Sequence, residues 1–209
     1  MPGRQLYQDL AAVRALVADG RDRLRDATGD LDQFALNSAR HRLLEVDDCL
    51  IMAASGLGGW SRVAAGTPAM LLAAAATALV TRALGFPVFW VVACSWIVAV
   101  LVEHPVRKWT MTRLGPWLGR RRLARAAVTV EPSSPRDLAG LPDALADART
   151  RLVSAILRAA GSRHWQPAYL AHAVAGSPTF TRLAAADTML CQAIDHIEQY
   201  LAAETKEQP

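Results

Sequence analysis

Lysine is almost absent from this 209-residue chain, and cysteine and aromatic residues are scarce. Only Lys108 and Lys206 are lysines, so arginine supplies nearly all of the positive charge, a composition typical of bacteria with GC-rich genomes. The cysteines Cys49, Cys94 and Cys191 are too few and too widely spaced for a disulfide framework. We therefore expect reduced, structural thiols and a fold that depends on apolar packing.

Sequence motifs that mark many enzymes and phosphate-binding proteins are also missing. The chain has no Gly-x-Ser-x-Gly, and Gly56-Leu57-Gly58-Gly59 lacks the Lys-Ser/Thr of a phosphate-binding loop. No segment alternates apolar and polar residues in the way that predicts a β-strand. The five histidines are dispersed, without the paired Glu-x-x-His motifs of a two-metal helical bundle. These absences favour an all-α fold with no cofactor.

The net charge of +4 is concentrated in one short segment. Residues 104–130 carry seven basic side chains and no acidic one, whereas the blocks before and after are slightly acidic. A protein that binds nucleic acid through its folded part is more often basic throughout. Because this basic segment follows a long apolar run, we expect it to contact anionic lipid headgroups and not nucleic acid.

The apolar run covers residues 63–102 and contains a single charged residue. Pro68 can open one helix, Gly85 can take the positive φ of a tight turn, and Pro87 can open a second helix. Counted from the prolines, each helix has roughly 16 residues, somewhat fewer than the roughly 20 that cross a bilayer. We predict a membrane helical hairpin over residues 63–104, made of two transmembrane helices.

Charge also sets the expected orientation of this hairpin. Arg62 precedes it and the basic segment follows it, whereas the turn carries only Arg82. The positive-inside rule then places both termini in the cytoplasm and the hairpin in the inner membrane. The N-terminus has no signal-peptide pattern, so the first helix of the hairpin is expected to act as its own insertion signal.

Tryptophan and leucine alternate with arginine over residues 105–130. A helix that combines such apolar residues with a cationic face tends to lie in the headgroup plane of an anionic membrane. The sequence predicts that the preceding helix ends at Pro105 and that Pro116 divides the basic helix in two. The expected lipid-binding residues are Arg107, Lys108, Trp109, Arg113, Trp117, Arg120, Arg121, Arg122 and Arg125.

The two remaining blocks carry amphipathic helical patterns. Apolar residues such as Leu43 and Leu190 recur every three or four positions, and two long helices are indicated on each side of the hairpin. Four helices with matching apolar stripes predict one cytoplasmic helical bundle. The expected parts of the chain are therefore residues 1–62, 63–104, 105–130 and 131–209.

One polar group on the second helix has the spacing of metal ligands. His41, Glu45 and Asp48 step by four and by three, so they share one helical face. Imidazole and carboxylate groups in that arrangement are candidate metal ligands. A solvated helix face has the same pattern and binds no metal, and we consider that interpretation the simpler one.

Three aspartates are the candidate catalytic acids. Asp47-Asp48 resembles half of the aspartate-rich motif of prenyl-transferring enzymes, in which carboxylates hold Mg²⁺ on a diphosphate, but the third acid of that motif is missing here. Asp187 lies where the apolar stripe of the last helix expects a hydrophobic residue. Two interpretations of Asp187 are open: an inward charge that pairs with an arginine such as Arg40, or an exposed charge in an imperfect apolar stripe.

Three functions follow as hypotheses. The first is a non-enzymatic membrane-anchored scaffold, whose bundle binds a protein partner or a second copy of itself through positions such as Leu190. The second is a homo-oligomeric pore, for which the hairpin offers few polar groups. The third is a membrane enzyme acting on a lipid or isoprenoid substrate, which would require the three aspartates to converge. The remaining alternative is a soluble protein in which the alanine-rich hairpin forms the core. The polar groups available to a pore are Thr77, Thr81, Cys94 and Ser95.

Overall fold

The computed structural model describes residues 2–27, 34–57, 67–127, 137–161 and 167–207. Apart from turns these ranges are helical, which confirms the all-α prediction. The chain divides into two compact units, Met1–Leu57 with Gly119–Pro209 and Gly58–Leu118. The described helices are α1 (Pro2–Ala27), α2 (Phe34–Gly56), α3 (Thr67–Ala83), α4 (Val88–Arg125), α5 (Leu141–Ala159), α6 (Pro167–Gly176) and α7 (Pro178–Glu207).

Four long helices of the first unit pack in a closed ring. Helix α1 contacts α2, α2 contacts α7, α7 contacts α5, and α5 contacts α1 again. This is the arrangement of a four-helix bundle, and the short helix α6 packs on α7. The prediction that the N-terminal and C-terminal helices join in one helical bundle is confirmed.

The bundle core consists of leucine, alanine and a few β-branched side chains at helical spacing. Leu43 and Leu50 of α2, Leu145 and Leu152 of α5, and Leu190 of α7 are fully buried. Burial of a leucine contributes about 1.5–3 kcal/mol, so a core of this kind accounts for most of the favourable free energy of the bundle. Alanines in the same stripes let the helices approach closely.

Leu190 does not offer the partner-binding surface that its spacing suggested. Its side chain is 0% exposed, in the centre of the bundle. The apolar stripes of the amphipathic helices are buried against one another within a single chain, which avoids the entropic cost of bringing two chains together. A partner protein would therefore meet the outer faces of the bundle.

The last turns of α4 belong to the same unit and pack on α2. Leu123 is buried within the core cluster. Gly119 lies so close to α2 that a Cβ atom at this position would overlap the carbonyl oxygen of Ile51. Glycine is required here by the close approach of two backbones and not by its own backbone conformation.

The second unit contains α3, a tight turn and α4 as far as Leu118. The N–H of Phe86 donates to the carbonyl of Thr81 over 3.2 Å, which closes a Schellman motif at the end of α3. Gly85 has a φ of 78°, in the left-handed region that favours glycine, and α4 begins directly after Pro87. The predicted turn is confirmed. Within the described ranges, no helix combines the length and the apolar character needed to cross a membrane.

Helix α4 is continuous over 38 residues, so the predicted helix end and the predicted helix break within it are both wrong. The sequence predicts an end at Pro105 and a break at Pro116, but both prolines lie inside the helix. A proline in a helix interior costs about 3 kcal/mol because it removes one hydrogen bond and crowds the preceding turn. Long helical segments on both sides propagate cooperatively and offset that cost.

We expect the Gly119→Ala substitution to destabilise the bundle by about 1–3 kcal/mol, the usual cost of overpacking. The added methyl group would overlap a backbone carbonyl, which cannot rotate away as a side chain can. Denaturant unfolding of the full chain, followed by circular dichroism, measures the change. Gly176→Ala adds the same methyl group in open space and is the matched control. Equal stability of the two variants would show that α4 does not approach α2 so closely.

Candidate functional site

Large apolar side chains are exposed almost entirely in the second unit. Nineteen such side chains are well exposed among the described residues, and 17 of them lie between residues 71 and 117. The other two are Phe34 and Leu44. The 17 side chains are Leu71, Leu72, Leu79, Val80, Leu84, Phe86, Val88, Phe89, Trp90, Val92, Trp96, Ile97, Val100, Leu101, Trp109, Leu114 and Trp117.

This apolar surface is larger than a monomer in water usually exposes. The largest contiguous apolar patch of a monomer in water is typically about 300–600 Å², and a single aromatic side chain carries about 150–250 Å². Val88 and Phe89 are 79% and 75% exposed, and Trp90 is 56% exposed. Consecutive residues project about 100° apart around a helix, so α4 exposes apolar side chains on several sides. In folded proteins, helical segments that are apolar on several sides are usually covered, either by other protein or by lipid.

The hydroxyl groups within this surface bond to their own helices. Thr77, Thr81 and Ser95 donate to the carbonyls of Ala73, Thr77 and Val91, over 2.8, 2.8 and 2.7 Å. A hydroxyl is tolerated in an apolar medium when its proton is bonded in this way. These protons are therefore not available to water or ions in a pore.

The expected lipid-binding residues follow along α4. Trp109, Arg113 and Trp117 lie one turn apart, so they share a helical face. Arg122 is half-buried in the bundle, and the side chain of Arg107 lies outside the described residues. The exposed members of the set are Lys108, Trp109, Arg113, Trp117, Arg120, Arg121 and Arg125.

Arg122 has a structural role that the sequence did not indicate. Its Nη1 atom donates to the carbonyls of Ala54 and Ser55, over 3.1 and 3.0 Å, near the end of α2. The same atom lies 3.4 Å from the hydroxyl oxygen of Tyr7 on α1. A cation at a helix C-terminus is favourable because the last carbonyls carry partial negative charge. Through these contacts Arg122 connects the end of α4 to α1 and α2.

Two of the candidate catalytic aspartates are engaged in separate ion pairs. Asp47 accepts a hydrogen bond from Nε of Arg14 over 2.5 Å, which links α2 to α1. Asp187 accepts one from Nε of Arg149 over 2.8 Å, which links α7 to α5, so its partner is not Arg40. Both pairs are partly exposed, and pairs of this kind contribute about 0–1 kcal/mol each.

The remaining candidate acid and the candidate metal ligands lie on an outer face of α2. Asp48 is exposed. His41 Nε2 lies 3.5 Å from a carboxylate oxygen of Glu45, whose other oxygen accepts a hydrogen bond from Nη1 of Arg42 over 2.9 Å. In the part of the chain that the structure describes, no three histidine, cysteine or acidic residues come together so as to hold a metal ion.

Burial perturbs the thiols of the bundle. It raises the pKa of Cys49 above the ordinary thiol value, with a smaller opposing effect of the Arg182 charge. Burial also raises the pKa of Cys191, opposed by the charge of Arg149. The hydrogen bond to Asp187 raises the pKa of Arg149, so that guanidinium stays charged. Both thiols are therefore poor nucleophiles, which is consistent with a structural role.

Comparisons with known proteins identify no relative from which a function could be inferred. No protein-family model matches the chain, no curated protein matches it, and no solved structure matches it. The function is therefore argued from the geometry of the two units.

We expect Cys49 and Cys191 to react with iodoacetamide several-fold more slowly in the folded chain than in guanidinium, near pH 8. The thiolate is the reactive species, and a raised pKa lowers the thiolate fraction at a fixed pH. Above the ordinary thiol pKa the folded chain holds these protons more tightly than the unfolded chain, so stability falls as pH rises. Peptide mass spectrometry measures the rates. Equal rates in the two states would contradict the burial of these thiols.

Proposed function

We propose that this protein is a membrane-anchored helical module. Residues 67–101 insert into the hydrocarbon of the inner membrane, and the basic residues of α4 contact anionic headgroups. The helical bundle stays in water on the cytoplasmic side. The observation that carries the proposal is that 17 of the 19 exposed large apolar side chains among the described residues lie in the second unit.

The free energy of transfer favours insertion of this unit and not of the bundle. Each large apolar side chain gains about 1.5–3 kcal/mol on leaving water. The second unit has many such side chains to transfer, whereas the described part of the bundle exposes only Phe34 and Leu44. The internally bonded hydroxyls of Thr77, Thr81 and Ser95 reduce the cost of moving polar groups into lipid.

The length of α3 bears on the depth of insertion. Its 17 residues span about 25 Å, against about 30 Å of hydrocarbon. Local thinning of the bilayer accommodates a difference of this size. Arg82 lies beside the turn, where its long side chain can reach towards the far headgroup layer.

The basic part of α4 supplies the second membrane contact in this proposal. Trp109 and Trp117 suit the boundary between headgroups and hydrocarbon, and Arg113 lies between them on the same helical face. Each arginine near an anionic surface contributes about 1 kcal/mol of attraction, which salt weakens. Asp47 and Asp187 are held in ion pairs, so a binding role fits the bundle better than catalysis. A protein partner or a second copy would contact its outer faces.

Alkaline carbonate washing of membranes tests the anchor. We expect the full chain to stay in the membrane pellet. Alkaline carbonate releases peripheral proteins, whereas the release of an inserted chain would expose its apolar surface to water. A version without Thr67–Val102 should appear in the supernatant, since it lacks most of the exposed apolar side chains. Release of the full chain by carbonate would overturn the proposal.

A single charge within the apolar surface should weaken the anchor. Ile97→Asp places a carboxylate at hydrocarbon depth, which costs about 2.5–3.5 kcal/mol, or about a hundredfold in partition between membrane and water. Co-sedimentation with limiting amounts of phosphatidylglycerol–phosphatidylcholine vesicles measures this partition. Leu44→Asp is the matched control, because it changes an isomeric exposed side chain on α2. Equal binding of the two variants would exclude α4 from the bilayer.

A further inference from the structure

A cavity in the bundle unit has a basic lining, to which Arg4 of α1 and two of the basic residues of α4 contribute. Its volume is about 430 Å³, and it lies where the start of α1 meets the end of α4. Both segments belong to the same compact unit. The polar lining residues are Arg4, Tyr7, Gln8, Arg122 and Arg125, and alanines complete the wall. Three arginines therefore line one cavity whose lining contains no acidic residue.

Among the described residues, these three arginines have no acidic partner, whereas other arginines of the bundle do. Arg14 and Arg149 are each paired with an aspartate. Arg4, Arg122 and Arg125 form no ion pair with any residue that the structure describes. An arginine stays charged at all ordinary pH values, so three around one cavity create a strongly positive potential. A bound anion would relieve their mutual repulsion.

Arg122 is held in position before any ligand binds. Its Nη1 atom is fixed by the carbonyls of Ala54 and Ser55. Its Nε and Nη2 atoms donate to none of the described residues, so their N–H groups remain for a ligand. A guanidinium that is already ordered loses little conformational entropy on binding.

Arg4 occupies a position that is unfavourable without an anion. It lies near the start of α1, whose first turn contains no acidic residue. The positive end of the helix dipole disfavours a cation there, whereas Arg125, in the last turn of α4, lies at the negative end of its helix. The helix dipole therefore favours the position of Arg125 but disfavours the position of Arg4.

We propose that this cavity binds a phosphoryl group, supplied by an anionic lipid headgroup or by a free phosphate ion. The planar guanidinium matches pairs of phosphate oxygens, and Arg4, Arg122 and Arg125 provide the charge. Gln8 adds a neutral hydrogen-bonding group beside them, whereas the hydroxyl of Tyr7 donates to the carbonyl of Ala54 over 3.4 Å. The headgroup form of the inference rests on the proposed function, because an anchored chain meets lipid headgroups.

Calorimetric titration of the full chain in neutral detergent tests the cavity. The two probes are inorganic phosphate and dihexanoyl phosphatidic acid. We expect Arg4→Gln and Arg125→Gln each to weaken binding about tenfold, the effect of losing one charge-assisted contact. Arg151→Gln is the control, because Arg151 is an exposed arginine of α5 outside the cavity. Absence of binding by both probes, or an equal loss in the control, would overturn the proposal.

The ratio of the two affinities identifies the source of the phosphoryl group. Phosphatidic acid that binds at least about tenfold more tightly than inorganic phosphate supports a lipid headgroup, and similar affinities support a free phosphate ion. Arg122→Gln also removes the hydrogen bonds to α2, so the exposed positions Arg4 and Arg125 carry the test. Thermal unfolding curves that match those of the parent chain show that these variants fold.

Carbonate washing distinguishes an error in the phosphoryl-binding proposal from an error in the membrane-anchor proposal. Arg4→Gln should stay in the membrane pellet, because Arg4 lies neither in the apolar surface nor among the basic residues of α4. A full chain that is released by carbonate but binds inorganic phosphate would overturn the anchor and support the cavity. A chain that stays in the pellet but binds neither probe would overturn the cavity alone.

Discussion

The burial of four apolar helical stripes against one another is the constraint on which the rest of the structure depends. It brings together segments that lie far apart in the chain: Nη1 of Arg182 on α7 donates to the carbonyl of Met52 on α2, over 3.4 Å, across 130 positions. Ion pairs such as Arg14–Asp47 lie at the edges of this core and contribute little by comparison. Because the stripes are buried inside one unit, they are no longer available to a partner.

The same hydrophobic effect acts differently on the second unit. Helix α3 and the first part of α4 hold their shape through backbone hydrogen bonds, the Schellman turn and bonded hydroxyls, while their large side chains remain exposed. A bundle folds in water because its apolar surface faces itself, whereas an all-round apolar helix needs another apolar phase. The proposed anchor assigns that phase to lipid and leaves the arginine-rich end of α4 to headgroups.

Periodicity predicted the helices well, because a stripe at three- and four-residue spacing has few alternatives. Gly85 and Pro87 predicted the turn for equally local reasons, which the positive φ and the start of α4 bear out. Pro105 and Pro116 were misleading, since the local cost of a proline does not reveal whether the helical segments around it are long enough to offset that cost. Asp187 was recognised as unusual from its place in the stripe, but its partner Arg149 could not be identified.

The sequence by itself determined the helices, the turn, the apolar run and the concentration of positive charge, because each depends on neighbours within a few residues. Only the tertiary structure decided that Leu190 is core, that Asp47 and Asp187 belong to different ion pairs, and that Gly119 touches the backbone of α2. It also brought Arg4 and Arg125 to one cavity. Contacts of this kind depend on the rotation and offset of packed helices, which are set by how all the side chains fill the core together.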